Sequence, residues 1–204
     1  MKQLQLYAIF YLNLLYSSVP VKSRHTLISN CYWPLLRIIE SGIPLGIQIS
    51  GVSLEIINKL DPAWIKKFST LLKQRKCEFI GGGYAQVIGP LVPAKLNDIN
   101  QQLGLITYHK ILNIRPAIAT ISEMAYSSGI VEHYLNHDYK AILIEWNNPK
   151  SFHSHWQDHW RYYPQQVATN NGKKINVVWI DTVAFQKFQR YIYQEYSLKE
   201  YLSI

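Results

Sequence analysis

Carboxylates placed at the ends of short apolar runs are the residues in this sequence best suited to chemistry. Glu78 lies in Cys77-Glu78-Phe79-Ile80, which leads into Gly81-Gly82-Gly83-Tyr84, and Glu123 follows the run Ala117-Ile118-Ala119-Thr120-Ile121 and Ser122. Glu145 ends Ala141-Ile142-Leu143-Ile144, and Asp181 ends Val177-Val178-Trp179-Ile180. A short apolar run reads as a buried strand, and the C-terminal ends of parallel strands are where α/β barrels place their catalytic groups. The aromatic and glycine residues after Glu78 and Glu123 fit a cleft that handles sugars, because flat amphipathic rings stack on sugar faces. Each acid also has a plainer reading. Glu123 can pair with a lysine or a backbone donor, and Glu78 can anchor a hydrogen bond.

The elements that must position these acids alternate along the chain, which predicts a parallel sheet with crossover helices. Strands are predicted over Leu6–Leu12, Leu45–Ile49, Cys77–Ile80, Ala117–Ile121, Ala141–Ile144 and Val177–Ile180, six in all. Helices are predicted over Cys31–Glu40, from Asp61-Pro62 onward, over about Pro93–Leu112 and over Gly129–Leu135. Asp61 can cap the free N–H groups of its helix, and Pro62 fits a first turn that needs no donor. Trp64, Ile65, Phe68, Leu71 and Leu72 then repeat at helical spacing, as do Leu96, Ile99, Leu103 and Ile106, so each set predicts a buried face. The stretch between Trp146 and Tyr163 reads as an aromatic loop, its rings either a sugar-stacking platform or a packed lid.

With 204 residues the chain forms one domain, short of the roughly 250 residues of a complete eight-stranded barrel. Hydrophobic residues at 48% and charged residues at 17% exclude an intrinsically disordered chain. The net charge of +8 raises nucleic acid as a partner. Its lysines and arginines, however, are spread along one predicted helix (Lys66, Lys67, Lys73, Arg75, Lys76) and a loop (Lys173, Lys174), beside no nucleic-acid motif. Cys31 and Cys77 form no Cys-x-x-Cys pair and no disulfide framework, which fits a reducing, cytoplasmic setting. Leu4 to Leu15 is interrupted by Gln5 and Asn13 and reads as a buried strand rather than a leader, and no run approaches the ~18 apolar residues of a membrane span.

Phe10-Tyr11-Leu12-Asn13, Cys77 to Tyr84, Ser122-Glu123-Met124-Ala125-Tyr126, Glu145-Trp146-Asn147-Asn148-Pro149 and Trp179 to Phe185 together resemble, in order, the motifs of glycoside hydrolase family 57. That group holds α-amylases, 4-α-glucanotransferases and related α-glucan enzymes. The resemblance implies an α/β fold, a (β/α)7 barrel, here incomplete with six parallel strands over residues 1–204. It also implies a retaining mechanism on an α-glucan or maltooligosaccharide, with no cofactor. Glu123 would be the catalytic nucleophile. Tyr11, Asn13, Glu78, Tyr84, Trp146 and Asp181 would bind substrate.

Two departures from the family pattern bear on activity. Tyr11 stands where the family has a histidine; it can hydrogen-bond a sugar hydroxyl but cannot become an imidazolium. The family's acid/base aspartate, in an Asp-x-Glu-x-Phe segment on a seventh strand, has no counterpart before Tyr201-Leu202-Ser203-Ile204. A truncated or degenerate member is therefore expected, with its turnover in doubt and a separate chain as one source of the missing strand. The rivals are a non-catalytic carbohydrate-binding remnant and an inactive fragment.

Histidines give a competing chemistry, since His133 and His137 share a predicted helix face and His153, His155 and His159 cluster. No His-Glu-x-x-His motif is present, so loop and surface histidines are the expected reading and no metal site is predicted. Gly81-Gly82-Gly83 lacks the Gly-Lys-Ser/Thr ending of a phosphate loop and reads as a tight turn beside a cleft.

Overall fold

The computed structural model describes residues 7–169 and 171–203. The first strand, β1 (Ala8–Leu12), is followed by a continuous helical segment made of α1 (Arg24–Leu27), a π-helical turn (Ile28–Tyr32) and α2 (Trp33–Glu40). Next come β2 (Leu45–Ile49), α3 (Gly51–Leu60), α4 (Pro62–Lys73), β3 (Cys77–Ile80) and the long α5 (Ala94–Leu112). The second half holds β4 (Ile118–Thr120), α6 (Ile130–Asn136), β5 (Ala141–Glu145), the short α7 (Asn147–Phe152) and the strands β6 (Gln165–Ala168) and β7 (Lys174–Ile180). It ends with α8 (Thr182–Ile192) and α9 (Leu198–Leu202).

The predicted parallel sheet with crossover helices is present as two sheets, one ordered β1-β2-β3 and one ordered β4-β5-β7-β6. All pairings are parallel except that of β7 with β6, a strand the sequence does not predict, so an antiparallel edge strand joins the six parallel ones. The sheets meet at Gly81, which bridges in parallel to Ala119. Gly81 N–H donates to Ile118 O, and Thr120 N–H donates to Gly81 O, both at 2.9 Å. Leu6, the first residue of the predicted opening strand, lies outside the described residues.

Two apolar cores follow from the strand alternation. Leu12, Ile47, Ile49 and Phe79 turn toward Ile28, Leu36, Leu54, Trp64 and Phe68 on the helices of the first half. Ile121, Ile142, Ile144 and Val177 pack with Val131 and Tyr134 in the second. Asp61 caps α4 as predicted, accepting from Trp64 N–H at 3.0 Å, and its other oxygen accepts from Trp33 Nε1–H at 2.7 Å, which ties α4 to α2. Burying Trp64 and Phe68, with ring centroids 4.9 Å apart, then fixes this layer against the sheet.

The orientation of α5 corrects the sequence reading. Leu96, Ile99, Leu103 and Ile106 are all exposed, whereas Asn97, Asn100, Gln101, Gly104, Thr107 and Tyr108 are buried. The cause is the irregular segment after β3, whose backbone groups need partners once buried. Asn100 Oδ1 accepts from Ala85 N–H at 2.7 Å and its Nδ2 donates to Ala85 O at 3.0 Å. Asn97 Nδ2 donates to Gly89 O at 2.9 Å, and the Tyr108 hydroxyl donates to Gly83 O at 2.6 Å. Satisfying that loop turns the polar face inward and the apolar stripe out.

Both cysteines are free thiols, Cys31 exposed and Cys77 buried. Among the described residues no helix is long and apolar enough to cross a membrane. The inverted α5 gives a direct test by urea unfolding. Ile106→Lys is expected to change stability by no more than about 0.5 kcal/mol, as for exposed positions generally. Trp64→Ala is expected to cost about 3–5 kcal/mol.

Candidate active site

A cleft of about 620 Å³ opens at the C-terminal ends of β1 to β4. Tyr11 and Asn13 enter it from β1, Gln48 from β2, Gly82 and Gln86 from the exit of β3, and Thr120 through Met124 from β4 and its exit. The π-helical turn contributes the opposite wall with Cys31 and Tyr32. Among the described residues lining the cleft, Glu123 is the only carboxylate.

Glu123 sits in the left-handed region, with φ 53° and ψ 19°, and Met124 follows at φ 53°. A non-glycine residue held there typically costs about 1–3 kcal/mol and persists where the surroundings over-determine it. Here Met124 N–H donates to Ile121 O and Ala125 N–H to Ser122 O, both at 3.1 Å, closing the turn that carries the carboxylate out over the cleft. Glu123 is exposed, and among the described residues no salt bridge involves it.

Two of the predicted binding residues share this cleft. Asn13 Nδ2–H donates to Gln86 Oε1 at 2.6 Å while its Oδ1 accepts from Leu15 N–H at 2.9 Å, so its amide spans the exits of β1 and β3 in one orientation. Burial pushes the Tyr11 hydroxyl above its ordinary pKa, partly offset by Thr120 beside it, so it remains a donor at neutral pH.

Other predicted site residues lie elsewhere. Glu78 is two residues before the end of β3, roughly 7 Å along the strand; it pairs in register with Gly46 and does not line the cleft. Partial burial holds its carboxyl above the usual value, and burial with Glu78 nearby pushes Tyr7 up to about 12. The Tyr84 hydroxyl donates to Glu55 Oε2 on α3 at 3.0 Å. Trp146 is only 2% exposed, its ring 5.1 Å from that of Trp179 and 5.6 Å from that of Trp156, so it packs a core and offers no face to a sugar.

Asp181 caps α8, its Oδ1 accepting from Val183 N–H at 3.0 Å and Ala184 N–H at 3.2 Å. Glu145 plays the same part for α7, accepting from Asn147 N–H at 2.9 Å and Asn148 N–H at 2.7 Å. His133 Nδ1 is 2.7 Å from Asp98 Oδ1 and His137 Nε2 is 3.8 Å from it. Among the described residues no group of three or more side chains is placed to hold a metal ion.

Gln48 and Thr120 line the cleft without having been singled out from the sequence. The signal for Gln48 was available: a lone amide inside the apolar strand Leu45-Gly46-Ile47-Gln48-Ile49. The glycine run is shaped around these neighbours. A Cβ on Gly82 would stand 2.6 Å from Gln48 Nε2, and one on Gly81 2.6 Å from the Tyr139 hydroxyl. Gly83 has φ +90°, and α5 approaches it so closely that a Cβ on Gly104 would meet its Cα at 2.8 Å.

The model of glycosyl hydrolase family 57 matches residues 9–196, and the chain belongs to that family. Solved structures of similar fold include 4-α-glucanotransferase from Thermococcus litoralis, with a TM-score of 0.72 and 16% identity over 96% of this chain and 32% of that one. The α-amylase AmyC from Thermotoga maritima aligns with a TM-score of 0.69 and 12% identity, over 87% of this chain and 46% of that one. The GH57-type branching enzyme from Pyrococcus horikoshii gives 0.66 and 14%, over 91% and 48%. The chain thus spans less than half the length of each of these three enzymes. Comparison with curated protein sequences gives no match.

Two measurements check the site's physics. Glu123→Gly relieves the left-handed backbone and is expected to raise unfolding stability by up to about 1 kcal/mol in a urea titration. Glu78 is ionised in the fold only against partial desolvation, so its contribution to stability is present below the ordinary carboxylate value of 4.5 and lost as pH rises through its higher folded value. Glu78→Gln is accordingly expected to raise the melting temperature at pH 7, with the gain disappearing below about pH 4.5.

Proposed function

We propose that the cleft binds an α-glucan or maltooligosaccharide and that Glu123 is the nucleophilic carboxylate of a retaining glycoside hydrolase or glucanotransferase site. The observation that carries this reading is Glu123 itself: a strained acid at a strand exit, in no salt bridge among the described residues, facing a cleft of about 620 Å³ in a family 57 chain. Its support in the fold is an arc of parallel strands β1-β2-β3-β4-β5-β7, read as part of a (β/α)7 barrel once the Gly81 bridge is included.

In a retaining reaction a carboxylate oxygen attacks the anomeric carbon as the glycosidic C–O bond breaks. A second carboxyl group about 5–5.5 Å away protonates the departing oxygen and then activates water. Glu123 has no carboxyl partner among the described residues lining the cleft. A carboxyl group for that step would have to come from outside these lining residues, and a separate chain contributing an acid is one source. General acid catalysis typically supplies about 10²–10⁴-fold, so turnover of natural glucans without such a group is slower by about that factor.

A fluoride leaving group needs no proton, which separates the two halves of the mechanism. Incubated with α-maltosyl fluoride, the wild type is expected to release fluoride and accumulate a glycosyl adduct on Glu123 by mass spectrometry, while Glu123→Gln does neither. Equal behaviour of the two proteins would remove the nucleophile assignment. That Glu123 is the only carboxylate among the described residues lining the cleft favours one other reading, glucan binding without turnover; maltoheptaose binding with no fluoride release by the wild type would establish it.

A further inference from the structure

The floor of the cleft holds two buried polar atoms that no well-aligned hydrogen bond satisfies among the described residues. Gln48 is only 4% exposed and Thr120 only 5%, yet both line the cavity. Gln48 Oε1 is buried with no hydrogen bond among the described residues, and Thr120 Oγ1, with the Tyr11 hydroxyl beside it, makes none of good geometry. Such atoms are uncommon in folded proteins because desolvating an unpaired polar group opposes folding.

Packing gives no reason for an amide at Gln48. Its strand neighbours Ile47 and Ile49 fill the helix-side core, and β2 is buried along its whole length. A methionine would fill the same volume at no desolvation cost. The neighbouring strand instead makes room for the amide, since a Cβ on Gly82 would stand 2.6 Å from Gln48 Nε2. Thr120 reaches the same floor from β4, beside the turn that carries Glu123. The last torsion of a glutamine is broad, so its amide can swing toward a ligand without moving the strand.

We infer that Gln48, with Thr120 beside it, recognises the hydroxyl groups of the sugar ring held next to Glu123, the amide oxygen accepting from one hydroxyl and the threonine hydroxyl pairing with another. This inference rests on the reading of the cleft as a glucan site and makes these residues determinants of binding, with no part in bond making or breaking. A sugar hydroxyl both donates and accepts, so it can satisfy either orphan.

The test compares wild type, Gln48→Met and Thr120→Val by calorimetric titration with maltoheptaose and by thermal unfolding without ligand. Each variant keeps the side-chain volume and removes the hydrogen-bonding group. The expected result is an affinity for maltoheptaose lower by about five- to tenfold in each variant, as for one lost hydrogen bond, with a melting temperature equal to or above that of the wild type. A structural role predicts the opposite split: affinity unchanged and the melting temperature lower by more than about 4 °C. That outcome, or wild-type affinity in both variants, overturns the inference while leaving the glucan site standing. If Gln48→Met fails to fold, an affinity loss in a stable Thr120→Val sustains the inference and unchanged affinity there overturns it; failure of both to fold overturns it. A wild type that does not bind maltoheptaose overturns the glucan reading itself, and this inference with it.

Discussion

The seam between the two sheets runs through Gly81, and the rest of the site depends on it. Two backbone hydrogen bonds, Gly81 N–H to Ile118 O and Thr120 N–H to Gly81 O, carry the parallel order of the first sheet into the second. The same short segment then clamps the helices. Gly51 N–H donates to Gly83 O at 3.1 Å and Val52 N–H to Tyr84 O at 2.9 Å, fixing the start of α3, while Tyr108 and Gly104 bring α5 down onto Gly83. A side chain at Gly82 would displace the Gln48 amide, and Gly83 is held at φ +90°, a conformation that favours glycine. Through this seam the exit of β4, with Glu123, comes to share a cleft with Tyr11, Asn13 and Gln48 from the first sheet.

Strand-end acids divide into two physical kinds. Glu145 and Asp181 are followed at once by a helix, and their oxygens are taken up by the free N–H groups of its first turn. Glu123 and Met124 are both left-handed and no regular α-helix follows at once, so no first turn collects the Glu123 oxygens and the carboxylate remains in the cleft. The left-handed backbone at Glu123 opposes folding, and among the described residues the acid it carries makes no salt bridge. In the proposed mechanism that is what a nucleophile requires, because a carboxylate committed to capping bonds would have to break them before attacking.

Much of this was legible in the sequence where local chemistry decides the outcome. The Asp61-Pro62 start of α4, the apolar runs that became parallel strands, and the glycine run as a tight turn beside a cleft all rest on short-range rules. What could not be read depends on partners distant in the chain. The apolar stripe of α5 predicts burial by periodicity, yet the loop after β3 needs Asn97, Asn100 and Tyr108 for its backbone, and that demand outweighs the stripe. Trp146 follows a strand like a binding aromatic but closes a ring cluster with Trp156 and Trp179. Glu78 alternates correctly for a sheet interior, but its position along β3 leaves it below the cleft, a distance that alternation does not encode. Within the family fold, these long-range contacts select which of the strand-end residues meet in one place.

In the proposed site, sugar occupies the space between Glu123 and the exits of β1 to β3. The most direct measurement is a backbone amide NMR titration of the wild-type chain with maltoheptaose. Shift changes are expected to concentrate on Tyr11, Asn13, Gln48, Gly82 and Thr120 through Met124. Changes centred instead on the Trp146 cluster and the first turn of α8 at Asp181, with the Glu123 turn unmoved, would contradict this placement.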